Sequence, residues 1–418
     1  VKRYLLFVLL LTGCARSSQE PQIVSLQRLD RNGFSETISN GERLALHQKT
    51  DFLAPQPYEK ILRVYHRDAE GRTHSRITSY HPSGQVKQYL EVVDGRAHGL
   101  YREWHPNGQI KAEMCVIEGV ADLSPQALSS WMFDGLARVW DENGHLVSQI
   151  PYNKGMLEGE QLVFYTTGAI KQRIPYRSDL LQGREERLDE GGGLLAFRHY
   201  QIGQAHGESA SYWSDGSLQG SEWYESGKLL RGCYQSSSGE LISQVIEGVG
   251  LQALFDEKRL TGYREIQAGE PRGRVEEIDE EGVTTRLYHM VEGKMEGEET
   301  LYFPSTRQPK LLLNWAEDAV QGVVRSWYPT GQLEAEIEMV RNQKHGSAFA
   351  WYRSGELMLV ERYEEGTLQD GSYYAPNSSS PVSQIIEGAG IATLYDSSGR
   401  FLRKVPYEGG QPLRSSVP

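Results

Sequence analysis

Cysteine is scarce, with three in 418 residues, and neither a long basic stretch nor an apolar run of transmembrane length occurs. The run Leu5-Leu6-Phe7-Val8-Leu9-Leu10-Leu11 covers seven residues, where a bilayer-spanning helix needs about 20. With 38% apolar residues overall, a multispan membrane protein is excluded. Lys and Arg number 44 against 56 Asp and Glu, for a net charge of -12, so the chain lacks the positive field on which nucleic-acid binding depends. HExxH, GxSxG and phosphate-loop patterns are missing, and His, Asp, Glu and Cys are scattered rather than convergent. No enzymatic activity, cofactor or metal is expected. His98, His206 and His345 each precede a glycine at matching repeat positions, and are expected to be polar residues at connections, too far apart to share a metal. Cys115 and Cys233 have no CxxC context and lie about five repeats apart, so both are expected to be free, buried thiols. Aromatic residues reach 10%, too many for a globally disordered chain.

Glycine is plentiful, at 44, and tyrosine supplies 23 of the aromatic residues. At the N-terminus, Lys2 and Arg3 precede the short apolar run, which closes on Leu11-Thr12-Gly13-Cys14. A charged segment, a short apolar segment and small residues in that order define an export signal. The last four residues resemble the bacterial lipobox, whose cysteine receives a diacylglyceryl group and, after cleavage, a further acyl chain such as palmitate. The resemblance implies lipidation at Cys14 and a chain tethered to the bilayer rather than embedded in it. Several acyl chains suffice for that, since each buried methylene contributes about 0.8 kcal/mol. Ala15 is not the Asp that retains lipoproteins in the inner membrane, which favours the outer membrane of the cell envelope.

The rest of the chain is periodic. Glycines at 99, 135, 159, 183, 207, 232, 250, 273, 297, 322, 346, 371 and 390 head segments that are mostly 23 to 25 residues long, with gaps of 36, 18 and 19 as exceptions. Nine residues after the head a second glycine recurs, as in Asn107-Gly108, Asn143-Gly144 and Asp215-Gly216, dipeptides that favour tight hairpin turns. Five residues after the head stands an aromatic in nine segments: Trp104, Trp140, Phe164, Tyr212, Phe255, Tyr302, Trp327, Trp351 and Tyr395. Eleven after it comes Ile110, Leu146, Ile170, Leu218, Leu333 or Leu357, and seventeen after it Tyr152, Tyr176, Tyr224, Tyr363 or Tyr407. These odd offsets predict one apolar and one wet face on a pleated strand. Each segment is thus a β-hairpin, and the expected fold is all-β: an elongated, single-layer antiparallel meander of serial hairpins with a period of about 24.

The strings Leu157-Glu158-Gly159, Phe164-Tyr165, Thr167-Gly168-Ala169-Ile170-Lys171 and Tyr176, with His345-Gly346, Trp351-Tyr352, Ser354-Gly355-Glu356-Leu357 and Tyr363, resemble the MORN repeat in its bacterial variant form, labelled the YwqK-type antitoxin family. The resemblance runs over about residues 75 to 412 and implies serial hairpins used as a scaffold or binding surface, and through the label a toxin-neutralising role. A longer echo lies above it. Gly207 to Gly346 spans 139 residues and Gly250 to Gly390 spans 140, and Ser243-Gln244-Val245-Ile246-Glu247-Gly248 recurs as Ser383-Gln384-Ile385-Ile386-Glu387-Gly388. A six-segment block has been duplicated.

The resulting division is a signal peptide at 1–13, a lipidated tether at 14–22, a degenerate β cap at 23–74, the repeat array at 75–412 and a tail at 413–418. An insertion at about 120–134 is a candidate partner-contacting loop. The leading expectation is a membrane-anchored envelope lipoprotein acting as a non-enzymatic scaffold for a protein partner. The alternatives are a cell-wall glycan-binding module using the nine aromatics as a binding face, and a neutralising protein of the YwqK type.

Overall fold

The computed structural model describes residues 22–256 and 259–413. The proposed signal peptide and Cys14 lie outside the described residues. Among the described residues, thirty-six strands, paired antiparallel, form one open meander sheet, accompanied by two short helices, Gly41–Ala45 and Pro125–Leu128. The described residues divide into two compact units, one made of 22–182 and 188–192, the other of 183–187, 193–256 and 259–413.

The hairpin Gln343–Trp351 and Leu357–Glu364 shows how one repeat is built. The turn at its tip is a three-residue loop, in which Tyr352 exchanges backbone bonds with Gly355 and Glu356 at 2.9 Å. Gly355 sits at φ +90, the left-handed position such a loop requires. Asn107-Gly108 closes the same kind of loop, with Gly108 N–H donating to His105 O at 2.9 Å, and is not the two-residue turn its sequence suggests. Two-residue turns lie at the other end of the repeat, as at Lys154-Gly155 and Ile202-Gly203, where both central residues have positive φ.

The aromatic at the fifth offset and the residue at the eleventh are direct cross-strand partners: Trp104 with Ile110, Trp140 with Leu146, Phe164 with Ile170, Trp327 with Leu333 and Trp351 with Leu357. Immediately beyond each pair the register slips by one residue. That β-bulge reverses the alternation, because one extra residue in a period-two strand carries every later side chain to the opposite face. The residues at offsets 13, 15 and 17 therefore turn away from the aromatic at offset five. Both faces consequently carry apolar packing, and the expectation of one apolar and one wet face is corrected.

The first unit shows this directly. In the hairpin His74–Tyr80 and Val86–Val93, Tyr80 and Val86 join a cluster with Ile23, Leu26, Ile38, Phe52 and Ile61 from the N-terminal strands. Ile77, Leu90 and Val92 join a second cluster with Ala97, Tyr101 and Val116. The segment at 120–134 packs onto the second cluster through Leu123 and Trp131. The Trp131 ring meets Tyr101 edge-on at 4.9 Å, and its indole N–H donates to Val120 O at 2.9 Å. Its apolar side chains thus close a core. In the second unit, clusters form around Tyr224, Leu229, Tyr234, Val245 and Ile266, and again around Leu368, Tyr373, Ile385 and Ala392.

In nine of the thirteen segments the head glycine lies inside a strand, while Gly159, Gly183, Gly297 and Gly322 begin one. Gly99 stands within Arg96–Trp104 at φ +115, at a second register slip where His98, Gly99 and Leu100 together stand opposite Glu91 alone. A Cβ on Gly99 would sit 2.5 Å from Glu91 Oε2, and that oxygen instead accepts the Leu100 N–H at 2.9 Å. Glu265 Oε2 accepts Arg274 N–H at 3.1 Å and Glu338 Oε2 accepts Ser347 N–H at 3.3 Å in the same way. The missing side chain makes room for a carboxylate that satisfies the backbone at the bulge.

Candidate functional site

All nine aromatics at the fifth offset are half-buried. The ring most deeply buried in several repeats is instead the next residue, at offset six, as with Tyr328 and Tyr352. Its polar tip reaches the backbone of the following hairpin. Tyr165 OH donates to Leu188 O at 2.8 Å, Trp213 Nε1–H to Gln235 O at 3.2 Å, Tyr328 OH to Trp351 O at 2.7 Å and Tyr352 OH to Tyr374 O at 2.6 Å. Where offset six is Asp, the carboxylate caps its own turn, as Asp141 Oδ1 does for Asn143 and His145 N–H and Asp396 Oδ1 for Ser398 and Arg400 N–H. Of the three histidines before head glycines, His206 and His345 accept from the Ser226 and Glu365 N–H groups at 3.3 and 3.4 Å, and His98 pairs with Ile117 O at 2.8 Å. Among the described residues, no group of three His, Cys, Asp or Glu is placed to hold a metal. Cys115 and Cys233 are free, as expected, but Cys115 is exposed and Cys233 half-buried; the residue after each, Val116 or Tyr234, takes the buried face of its strand, and alternation turns the thiol the other way, so neither is a buried thiol.

The most elaborate polar site lies in the second unit. Pairing across successive strands aligns Arg198 with Ser209, Ser209 with Glu222 and Glu222 with Gly232. Gly232 has no side chain, so the Tyr234 ring folds back over it; a Cβ there would lie 2.7 Å from the phenol oxygen. This delivers Tyr234 OH to Glu222 Oε1 at 2.8 Å, beside Gln252 Nε2–H at 2.6 Å. The other carboxylate oxygen accepts Tyr224 OH at 2.9 Å and Arg198 Nη2–H at 3.4 Å. Gln252 Oε1 in turn accepts Arg264 Nε–H at 2.5 Å. Burial, reinforced by the Glu222 charge, pushes the Tyr224 phenol up to about 12 and Tyr234 higher still. A cleft of about 730 Å³ opens over this network, lined also by Glu185, Arg187, Tyr200 and Tyr212.

Chemically, Glu222 is a saturated hub. Both of its oxygens are engaged by two donors each, which suits positioning and not proton transfer. The duplicated block carries the same clamp, with Tyr373 OH and Tyr363 OH donating to Glu361 at 2.7 and 2.9 Å. Its wall differs. Ile337, Ala348 and Ala392 stand where the first block has Arg198, Ser209 and Gln252, so the clamp belongs to the repeat and the polar cleft to the first block alone. Sequence reasoning missed this site; the one signal available was the shared Glu-x-Tyr of Glu222-Tyr224 and Glu361-Tyr363.

The two copies also share an exposed apolar trio. Ile246 pairs with Val249, and Leu251 lies two residues further on the same face; they are 58%, 61% and 42% exposed. In the second copy Ile386 pairs with Ala389, followed by Ile391, and both isoleucines are again exposed.

These features define a class: an open antiparallel sheet of bulged hairpin repeats. Four stretches of it, residues 97–117, 133–154, 157–178 and 320–340, match the MORN repeat variant. Such a repeat sheet fits a non-enzymatic repeat protein. No curated protein matches the chain. Among solved structures, it is similar to the Tc holotoxin pore of Photorhabdus luminescens at 12% identity, over 93% of this chain and 24% of that one, with a TM-score of 0.15. It is similar to TcdB2-TccC3 without its hypervariable C-terminal region at 11% identity, over 87% and 24%, with a TM-score of 0.11. A porin-like protein from Bacteroides uniformis matches at 9% identity, over 64% and 93%, with a TM-score of 0.13. The chain spans about a quarter of the length of the first two.

Proposed function

We propose that this chain is a lipid-anchored protein of the bacterial envelope, tethered through Cys14, that uses its repeat sheet as a scaffold for a protein partner. The observation that carries the reading is the repeated apolar trio. Ile246, Val249 and Leu251, and again Ile386, Ala389 and Ile391, face solvent at equivalent positions of a duplicated block. Exposed apolar side chains grouped in this way mark interaction surfaces, and two copies allow two contacts whose affinities reinforce each other. The glycan-binding alternative draws on the nine aromatics, but each aromatic already packs on its cross-strand partner, which supports it less well.

Two measurements test the proposal. Metabolic labelling with a radioactive fatty acid should mark the native chain and leave Cys14→Ala unlabelled; label on both chains, or on neither, would sink the anchor. A photo-crosslinking residue at position 251 in cells should yield one discrete adduct, lost on Val249→Glu and weakened on Ile391→Glu. An adduct indifferent to both substitutions would refute the docking surface.

A further inference from the structure

A second pocket, of about 510 Å³, lies in the first unit and carries an electrostatic imbalance that the proposed scaffold role leaves unused. Its lining includes Lys49, Arg63, Arg76 and Arg102 against a single carboxylate, Asp51, with the rings of Phe52, Tyr65, Tyr89 and Trp104 as walls. Arg63 and Arg76 are directly opposed on neighbouring strands, an arrangement that repels in a sheet. Arg63 is only 5% exposed. Its one hydrogen bond among the described residues runs from Nη2 to Thr78 Oγ1 at 2.5 Å, and its Nε is buried without a partner. Neither Arg63 nor Arg76 makes an ion pair among the described residues.

Stabilisation comes instead from aromatic faces. The Arg63 guanidinium lies 4.5 Å from the Phe52 ring centre and that of Arg76 5.0 Å from Tyr65. Glu91, opposite Arg76 in register, accepts Tyr89 OH and Leu100 N–H, and its charge, together with the hydrogen bond between Arg76 and Tyr65, favours the Arg76 cation. Arg102 is already neutralised by Glu113 at 2.7 Å. Asp51 sits at the rim and accepts Leu53 N–H at 2.9 Å. Two guanidinium groups thus share a largely aromatic pocket, and while Glu91 offsets part of the Arg76 charge, no carboxylate offsets that of Arg63. A desolvated charge without a counter-ion is costly, and a planar guanidinium is built to take an oxyanion through paired N–H groups.

We propose that this pocket binds a small organic oxyanion, a carboxylate or phosphate group carried on an apolar or aromatic body, with Arg63 and Arg76 receiving the anionic head and Trp104, Tyr65 and Phe52 the body. The test is calorimetric titration of the purified chain with benzoate and with phenyl phosphate, against chloride at matched ionic strength. At least one probe should bind one-to-one and raise the melting temperature, and the stronger of the two identifies the head group. Arg63→Gln and Arg76→Gln should each weaken binding about tenfold or more, while Arg403→Gln, at an exposed arginine of the other unit, should leave it unchanged. Arg76 is only half-buried, so its variant keeps the test decisive if Arg63→Gln does not fold. The proposal is overturned if neither probe binds up to millimolar concentration, or if binding survives both pocket substitutions. Neither result bears on Cys14 or the apolar trios.

Discussion

At the scale of single residues, the two kinds of repeat glycine do different work. Gly108 has φ +88 with open space where a Cβ would point, whereas Gly99 combines φ +115 with a Cβ position 2.5 Å from Glu91 Oε2 and 2.9 Å from Glu91 Cβ. Alanine at 108 should cost about 1 kcal/mol, the ordinary penalty of a left-handed residue. Alanine at 99 adds displacement of a carboxylate that holds the Leu100 N–H, so about 3 kcal/mol is expected. Chemical denaturation of the two variants measures the difference. If Gly99→Ala proved no worse than Gly108→Ala, the carboxylate would not explain why glycine recurs at the head. The double variant with Glu91→Ala should recover the steric part and leave the conformational part.

Within single hairpins, pairing was legible in the sequence and facing was not. The recurrence of Trp351 five residues after Gly346 and of Leu357 eleven after it reports a genuine cross-strand contact. Counting by twos beyond Leu357 then fails, because the slip after Trp351 sends Leu359 and Tyr363 to the other face, where they pack with Tyr373 and Ile385. A bulge adds a residue without adding a recognisable letter, so no periodicity reveals it. The Glu222 hub was hidden for another reason. Arg198, Glu222 and the Gln252–Arg264 pair come from three different repeats, and the hub they form includes Tyr234, which Gly232 lets lie flat. The clamp also makes a prediction about tyrosine. Glu361 accepts two phenol bonds where Glu222 accepts from four donors, so Tyr373→Phe should cost about 1.5–3 kcal/mol and Tyr234→Phe less, since Gln252 still serves the same oxygen. Raised phenol values mean that the neutral clamp stabilises the fold below about pH 10, the value of an unfolded tyrosine. That contribution is lost as pH climbs from there towards the native value, about 12 for Tyr224. Ultraviolet titration should therefore show a group of tyrosines that ionise only as circular dichroism reports unfolding; full, reversible ionisation of all tyrosines near pH 10 would contradict the clamp.

At the scale of the molecule, the described strands in each unit are paired throughout, but burial is uneven. From Gln149 to Ala196 no residue is buried, although strands such as Gly159–Phe164 and Ile170–Arg177 are fully laddered. By contrast, Val86–Val93 and Arg96–Trp104 hold Leu90, Val92, Ala97 and Tyr101, each at most 3% exposed. In a repeat array, local stability is a sum of each hairpin and its neighbour contacts, so equal numbers of hydrogen bonds should give unequal protection once burial differs. Native-state hydrogen exchange is expected to be fastest, among laddered amides, between residues 156 and 188, and slowest in the strands flanking Leu90 and Tyr101. This stretch contains the match to the repeat variant at 157–178, so closeness to the repeat pattern and strength of packing need not coincide: the pattern encodes turns, bulges and ring pairs, while protection from exchange requires the additional apolar cover that Trp131 and the N-terminal strands supply elsewhere. Uniform protection along the sheet would mean that the ladder alone sets stability, and would remove burial as the cause of the gradient.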